Sequence, residues 1–331
     1  MTIARSLRHS ALAVCALTGS FALPAAAQQE LKFQGAVKIF AGFAAGGQSD
    51  ILARLVADRL KDKLGRPVVV ENKPGAGGRI AVETVKPMPP DGSALALANI
   101  AQMSTAPLVF TDLTYDAVKD FTPISKAVDF QVALATGTLT KARDYEAMIA
   151  WLKANPDKGS SGVPAIGGLP HLFGIQLGKA TDLKLTAIPY RGGQPILAAL
   201  VQGDLAMGWG GVADFIEQHR GGVIRIVAVT GTKRSSQLAD VPTFSELGVK
   251  ANEPNGWIGY FGPKGMPADV VALFNREITA ALKDPTIAAR LEGLGFIITA
   301  TSPESLALQI ANDHKTWKPV IDAAGLGGQK Q

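Results

Sequence analysis

Apolar positions along the chain switch repeatedly between two spacings. Residues 37–43 form a short, mostly apolar run that stops at Gly46 and Gly47. Immediately afterwards Ile51, Leu52, Leu55, Val56 and Leu60 fall on one face at helical spacing, and Gly65 and Pro67 stop that pattern. Ser49 stands where a helix cap is wanted. A β-branched run at 68–70 predicts the next strand. "NKPGAGGRIA" (72–81) is a glycine turn leading into a short helix, and "PPDG" (89–92) is a turn before a third strand at 94–98. Strand, helix, strand at this spacing predicts parallel sheets with helices on both faces.

The alternation resumes after an apolar, Thr-containing stretch at 130–140. Met148, Ile149 and Leu152 mark a helix that Pro156 ends. "KGSSGVPAIGGLPHL" (158–172) is a long glycine-rich loop before another helix. A strand at 185–190 runs into "RGG", a helix through Ile196 and Leu200 closes at Gly203, and a strand at 205–209 meets another "GG". A further strand follows at 224–230. "TFSE" has capping-box spacing at Thr243 and Glu246, and the C-terminal part is mostly helical, with Pro267 and Pro303 near helix starts.

One device therefore recurs: a strand ends, glycines follow, a helix begins. In open α/β sheets ligands bind beyond the carboxyl ends of the strands. There glycines let a backbone approach closely, and the unpaired first-turn N–H groups of a helix attract an anion. A single glycine pair is equally a tight turn; its repetition points to a cradle.

Composition narrows the class. With 331 residues, 47% hydrophobic and 18% charged, the chain is long enough for two domains with a sizeable core. Residues 1–27 read as an export signal: Arg5 and Arg8, an apolar core, then Ala25, Ala26 and Ala27 before Gln28. Cys15 is the one cysteine and leaves with that signal, so neither a disulfide nor thiol chemistry is expected. Val14 before it argues against a lipid anchor. Without Arg5 and Arg8 the formal charge falls from +5 to +3, and no block of Lys and Arg suggests nucleic acid.

The familiar catalytic signatures are missing. No G-x-G-x-x-G follows a strand, no G-x-x-x-x-G-K-[ST] occurs, and "GSSG" (159–162) falls one residue short of a nucleophile elbow. His171, His219 and His314 have no second ligand at helical spacing, so no metal is expected, and no cofactor either.

The ordered segments "GFAAGGQSDILARLVADRL", "LGRPVVVENKPGAGGRIA", "PDGSALALAN", "FTPIS", "SSGVPAIGGLPHL", "PYRGGQPILAALVQGDLAM", "IRIVAVTGTKRSSQLADVPTFSELG" and "WIGYFGPKGMP" carry a family likeness. The chain resembles the extracytoplasmic, Bug-type receptors of tripartite tricarboxylate transporters from about residue 37 to the C-terminus. The resemblance implies an α/β, two-domain Venus-flytrap fold, type II-like, with the ligand cleft between the domains. Domain 1 would be residues 30–130 plus 254–331 and domain 2 residues 131–253, with crossings near 128–132 and 250–256. It also implies a periplasmic monomer without catalysis, which closes on a small organic carboxylate and hands it to membrane transporter subunits. A receptor feeding a signalling partner, or a secreted enzyme using the same cleft, are the alternatives.

Carried over residue by residue, the resemblance places Phe43, Ala44, Ala45, Gly46, Gly47, Gln48, Ser49 and Asp50 in one cradle. Ser160, Ser161, Gly162, Gly167, Gly168 and His171 form the facing one, with Tyr190, Arg191 and Gly192 beside it. Ala45 departs from the family's frequent proline and "VPAI" (163–166) from a small, polar stretch. "GWGG" (208–211) stands where an aspartate commonly follows an aromatic, so an acceptor is expected to be missing from the cleft rim. Asp50 suits the dipole of a first helical turn and is expected to be structural first. Ser49 is a ligand contact or a cap, and His171 a ligand contact or a pin for its loop. Tyr190 offers a hydroxyl and Arg191 a counter-charge to a carboxylate. Phe43 and Trp209 line the pocket or belong to the core.

Overall fold

The computed structural model describes residues 31–249 and 255–330. The expected export signal, and most of the second crossing at 250–256, lie outside the described residues.

In chain order the first elements are β1 (Val37–Ala41), α1 (Gln48–Leu64), β2 (Val68–Asn72), α2 (Arg79–Val85), β3 (Ala94–Asn99), α3 (Ala106–Val109) and β4 (Phe121–Phe130). Then come β5 (Val132–Thr136), α4 (Tyr145–Ala154), β6 (Ser160–Val163), α5 (Leu169–Thr181), β7 (Thr186–Pro189), α6 (Gly193–Gln202), β8 (Met207–Gly211), α7 (Val212–Arg220) and β9 (Arg225–Val229). The chain ends with β10 (Gly256–Pro263), α8 (Ala268–Leu282), α9 (Pro285–Gly293), β11 (Phe296–Ile298) and α10 (Pro303–Ala323).

These strands build two sheets. The first has the order β11-β4-β10-β3-β1-β2 and the second β7-β6-β8-β5-β9. Neither is all-parallel, which corrects the expectation from spacing. β1 pairs parallel with β2 and β3, and β6 with β7 and β8, as helical crossovers require. β10 instead lies antiparallel to β3 and β4, and β5 antiparallel to β8 and β9. β4 and β5 are separated by Gln131 alone. A strand that passes from one sheet into the other has no crossover helix to return it parallel to its neighbour.

The apolar stripe of α1 explains its position. Leu52, Ala53, Val56 and Leu60 are completely buried, and each Leu contributes about 2 kcal/mol by leaving water. The helix ends at Leu64 because Gly65 turns left-handed at φ 62°, a conformation that costs glycine little. The C-terminal helix is tied to the first sheet by polar groups as well. Asp313 accepts hydrogen bonds from Trp257 Nε1 (2.7 Å), Ser104 Oγ (2.9 Å) and Gln309 Nε2 (2.8 Å). The capping box at Thr243 and Glu246 forms both reciprocal bonds, 2.8 and 3.2 Å, yet it closes a turn and starts no helix.

Candidate ligand-binding site

Four helices begin on the same pocket, and each begins with glycine. Gly47 is the N-cap of α1, Gly168 of α5, Gly192 of α6 and Gly211 of α7. Glycine brings no capping side chain of its own: Asp214 accepts the Gln48 N–H of α1 and the Gln131 carbonyl accepts the Val212 N–H of α7, which leaves the starts of α5 and α6 to an outside acceptor. All four glycines line one pocket together with Phe43, Gln48, Ser49, Asn99, Ile100, Phe130 and Asp214. Its walls come from both sheets: α1 and β3 lead into it from the first, α5, α6 and α7 from the second. Two further contacts join the sides, where Ala44 N–H donates to the Arg191 carbonyl at 3.0 Å and Phe43 packs against Gly192.

Asp214 is the group that most shapes this pocket. Its side chain, 4% exposed, reaches from the first turn of α7. One carboxylate oxygen accepts the Gln48 N–H at the start of α1 (2.9 Å), and the other accepts the Gly211 N–H (3.0 Å). Burial outweighs these two bonds and pushes the carboxyl up to about 6. Asp50, on the other side of the same loop, behaves in the opposite way. Burial would raise it, but hydrogen bonds from Arg54, the Gly46 N–H and Asn72 hold it below the usual carboxylate range. The Gly46 and Arg54 Nε contacts are 2.9 and 3.0 Å.

Residues 52–326 match the family described as tripartite tricarboxylate transporter family receptor. The chain belongs to that family. Among solved structures, periplasmic binding protein BugD is 31% identical, with a TM-score of 0.85 over 90% of this chain and 100% of that one. MatC from Rhodopseudomonas palustris with bound malate is 27% identical, with a TM-score of 0.81 over 87% of this chain and 100% of that one. A second R. palustris protein, with adipate, is 28% identical, with a TM-score of 0.84 over 89% and 99% of the two chains. The two-domain flytrap fold expected from the sequence is thus the fold of this receptor.

The receptor's pocket takes only part of the expected residue set. Phe43, Gly47, Gln48, Ser49, Gly168 and Gly192 line it. Ser49 is not the cap, because the helix starts two residues earlier than a Ser49 cap would place it and Gly47 holds that position. Ala45 and Gly46 are exposed at the loop's outer edge, and Asp50 faces Gly46 and Arg54. Trp209 is a core residue: it is fully buried, stacks on Phe244 with ring centres 5.5 Å apart, and donates from Nε1 to Ser161 Oγ at 2.9 Å. That bond also takes Ser161 out of the lining. Gly162 packs under Leu205 and Ile196, and Gly167 lies against Val109. His171 pins its loop, accepting the Gly167 N–H on Nδ1 at 3.0 Å, and burial pushes its ionisation below the ordinary histidine value. Tyr190 and Arg191 flank the cavity without lining it, and the Arg191 side chain is exposed.

The missed lining residues include Asn99, Ile100, Phe130, Leu169, Gly193, Gly211 and Asp214. The cleft does not lack an acceptor beside "GWGG". A Cβ placed on Gly210 would lie 3.1 Å from Asp214 Oδ2, so a carboxylate reaches that spot from one helical turn further along. The signal was present: "GGVAD" is another strand end, glycine pair and helix start, with an acid in the first turn.

Proposed function

We propose that the protein is a periplasmic solute receptor that captures a small organic carboxylate by closing two domains and delivers it to membrane transporter subunits, with no catalysis. The observation that carries this reading is the convergence of four glycine-started helices on one cavity. The first-turn N–H groups of α5 and α6 would give an anion partners that cost no side-chain ordering, those at the starts of α1 and α7 being held in part by Asp214 and the Gln131 carbonyl. Ser49 on one side and the starts of α5 and α6 on the other are the groups that would hold the carboxylate. Malate and adipate in two family relatives support the ligand class. The domains would be residues 30–130 plus 254–331 and residues 131–253, with the chain crossing between them near 128–132 and 250–256. Residues 1–27 would direct export and be removed in the course of it.

The test is thermal unfolding of the purified protein with small carboxylates and their uncharged amides. A true ligand at roughly a thousand times its dissociation constant stabilises the fold by about 4 kcal/mol. Stabilisation by the acids and not by the amides is the expected result. Stabilisation by amides alone, or consumption of the added compound, rejects the reading.

A further inference from the structure

The polar lining of the pocket is unbalanced. No Lys, Arg or His is among the residues that line it, and Asp214 is the ionisable one. Asp214 sits in a socket walled by glycines from three segments. A Cβ on Gly47 would lie 3.2 Å from Oδ1 and one on Gly210 3.1 Å from Oδ2, while one on Gly193 would overlap the carboxylate carbon. The carboxylate is therefore held in place by space that only glycine leaves. Each of its oxygens accepts one backbone N–H, and a carboxylate has room for about four such bonds. Beside it the Gln48 side-chain oxygen, Oε1, is buried with no partner. Two acceptors with spare capacity thus stand together at the mouth of α1. The cavity wall is otherwise largely apolar, formed by Phe43, Ile100, Phe130, Pro164 and Leu169.

We infer that the receptor selects a monocarboxylate with an apolar body and a neutral hydrogen-bond donor, a hydroxyl or amide N–H, at its far end, and discriminates against dicarboxylates. The inference rests on the carboxylate reading above and narrows it. One carboxylate of the ligand meets the free helix starts of α5 and α6. A second would meet the Asp214 carboxylate with no lining cation to offset the repulsion, while a donor would fill its spare acceptor positions. A site built around buried polar groups rejects the analogue that leaves them unpaired.

The experiment is calorimetric titration of the purified protein at pH 7.5 with two matched pairs. These are 6-hydroxyhexanoate against adipate, and 4-(hydroxymethyl)benzoate against terephthalate. Within each pair only the far group changes. The expected result is that at least one hydroxy acid binds about 100-fold tighter than its matched dicarboxylate. In Asp214→Asn that ratio should shrink to less than about 10-fold, chiefly because the dicarboxylate gains. Dicarboxylates binding as tightly as the hydroxy acids overturn this inference and leave the carboxylate reading standing. Binding of 6-hydroxyhexanamide as tight as that of 6-hydroxyhexanoate removes the carboxylate reading itself, and this inference with it. If Asp214→Asn does not fold, the two wild-type ratios decide the matter alone.

Discussion

The Asp214 carboxylate accepts the Gln48 backbone N–H across the pocket at 2.9 Å, joining the start of α7 beside the second sheet to the start of α1 beside the first. A side chain of the protein thus occupies one of the N–H positions that an incoming anion would seek. It does so while buried, and that combination has a pH signature.

Burial raises the Asp214 carboxyl from 3.8 to about 6 in the folded state. A raised acid stabilises the fold below its unfolded value, and that contribution is lost as pH rises through the folded value. Between pH 4 and pH 7.5 the protein should therefore lose about 3 kcal/mol from this group. Chemical denaturation of the wild type and Asp214→Asn at both pH values isolates the effect. The stability difference between the two should move against the wild type as pH rises, and parallel curves would contradict the assignment.

Asp50 predicts the opposite slope. Its bonds from Arg54 and the Gly46 N–H hold the carboxyl below its ordinary value, so its contribution is present above about pH 4 and lost on acidification. Asp50→Asn should cost about 1–2 kcal/mol at pH 7 and much less at pH 3. Thermal melts at the two pH values measure this.

Gly193→Ala tests the socket. The added methyl would overlap the Asp214 carboxylate, which must then move. The expected outcome is a folded protein, destabilised by about 1–3 kcal/mol, whose affinity for 6-hydroxyhexanoate falls by about 10-fold or more. Unchanged affinity in titration calorimetry would show that the carboxylate position does not matter to the ligand.

Trp209→Phe separates core from pocket. It removes the bond to Ser161 Oγ and part of the stack on Phe244. Stability should drop by about 2 kcal/mol, read as a lower denaturation midpoint at unchanged slope, while ligand affinity changes less than about threefold.

The parts of the fold that were legible are those whose local pattern faces one way. β1, α1 and their glycine turn follow from 37–43, the Leu52–Val56–Leu60 face and Gly65. β10 was not legible. It is buried along its whole length and reads "GWIGYFGP", with three glycines and a proline and no alternation. The site divides in the same way. The helix starts announce themselves because glycine pairs after strands are a local signal. For Asp214 the helix start and first-turn acid are readable in "GGVAD", but nothing near it in sequence shows that Gly47 and Gly193 will close around it. Trp209, expected to line the pocket or belong to the core, takes the second place. It is next to the pocket in sequence, but its ring turns inward to Ser161 and Phe244.

The glycine N-caps of α5 and α6 carry one more implication, for how such a receptor changes over generations. Their grip on charge is written in the main chain, where a point substitution of a neighbouring side chain cannot erase it. Alanine scanning would pass over it for the same reason. New ligand preferences would then arise by redecorating the walls around Phe43, Phe130 and Asp214, while the attraction for an acid is inherited intact.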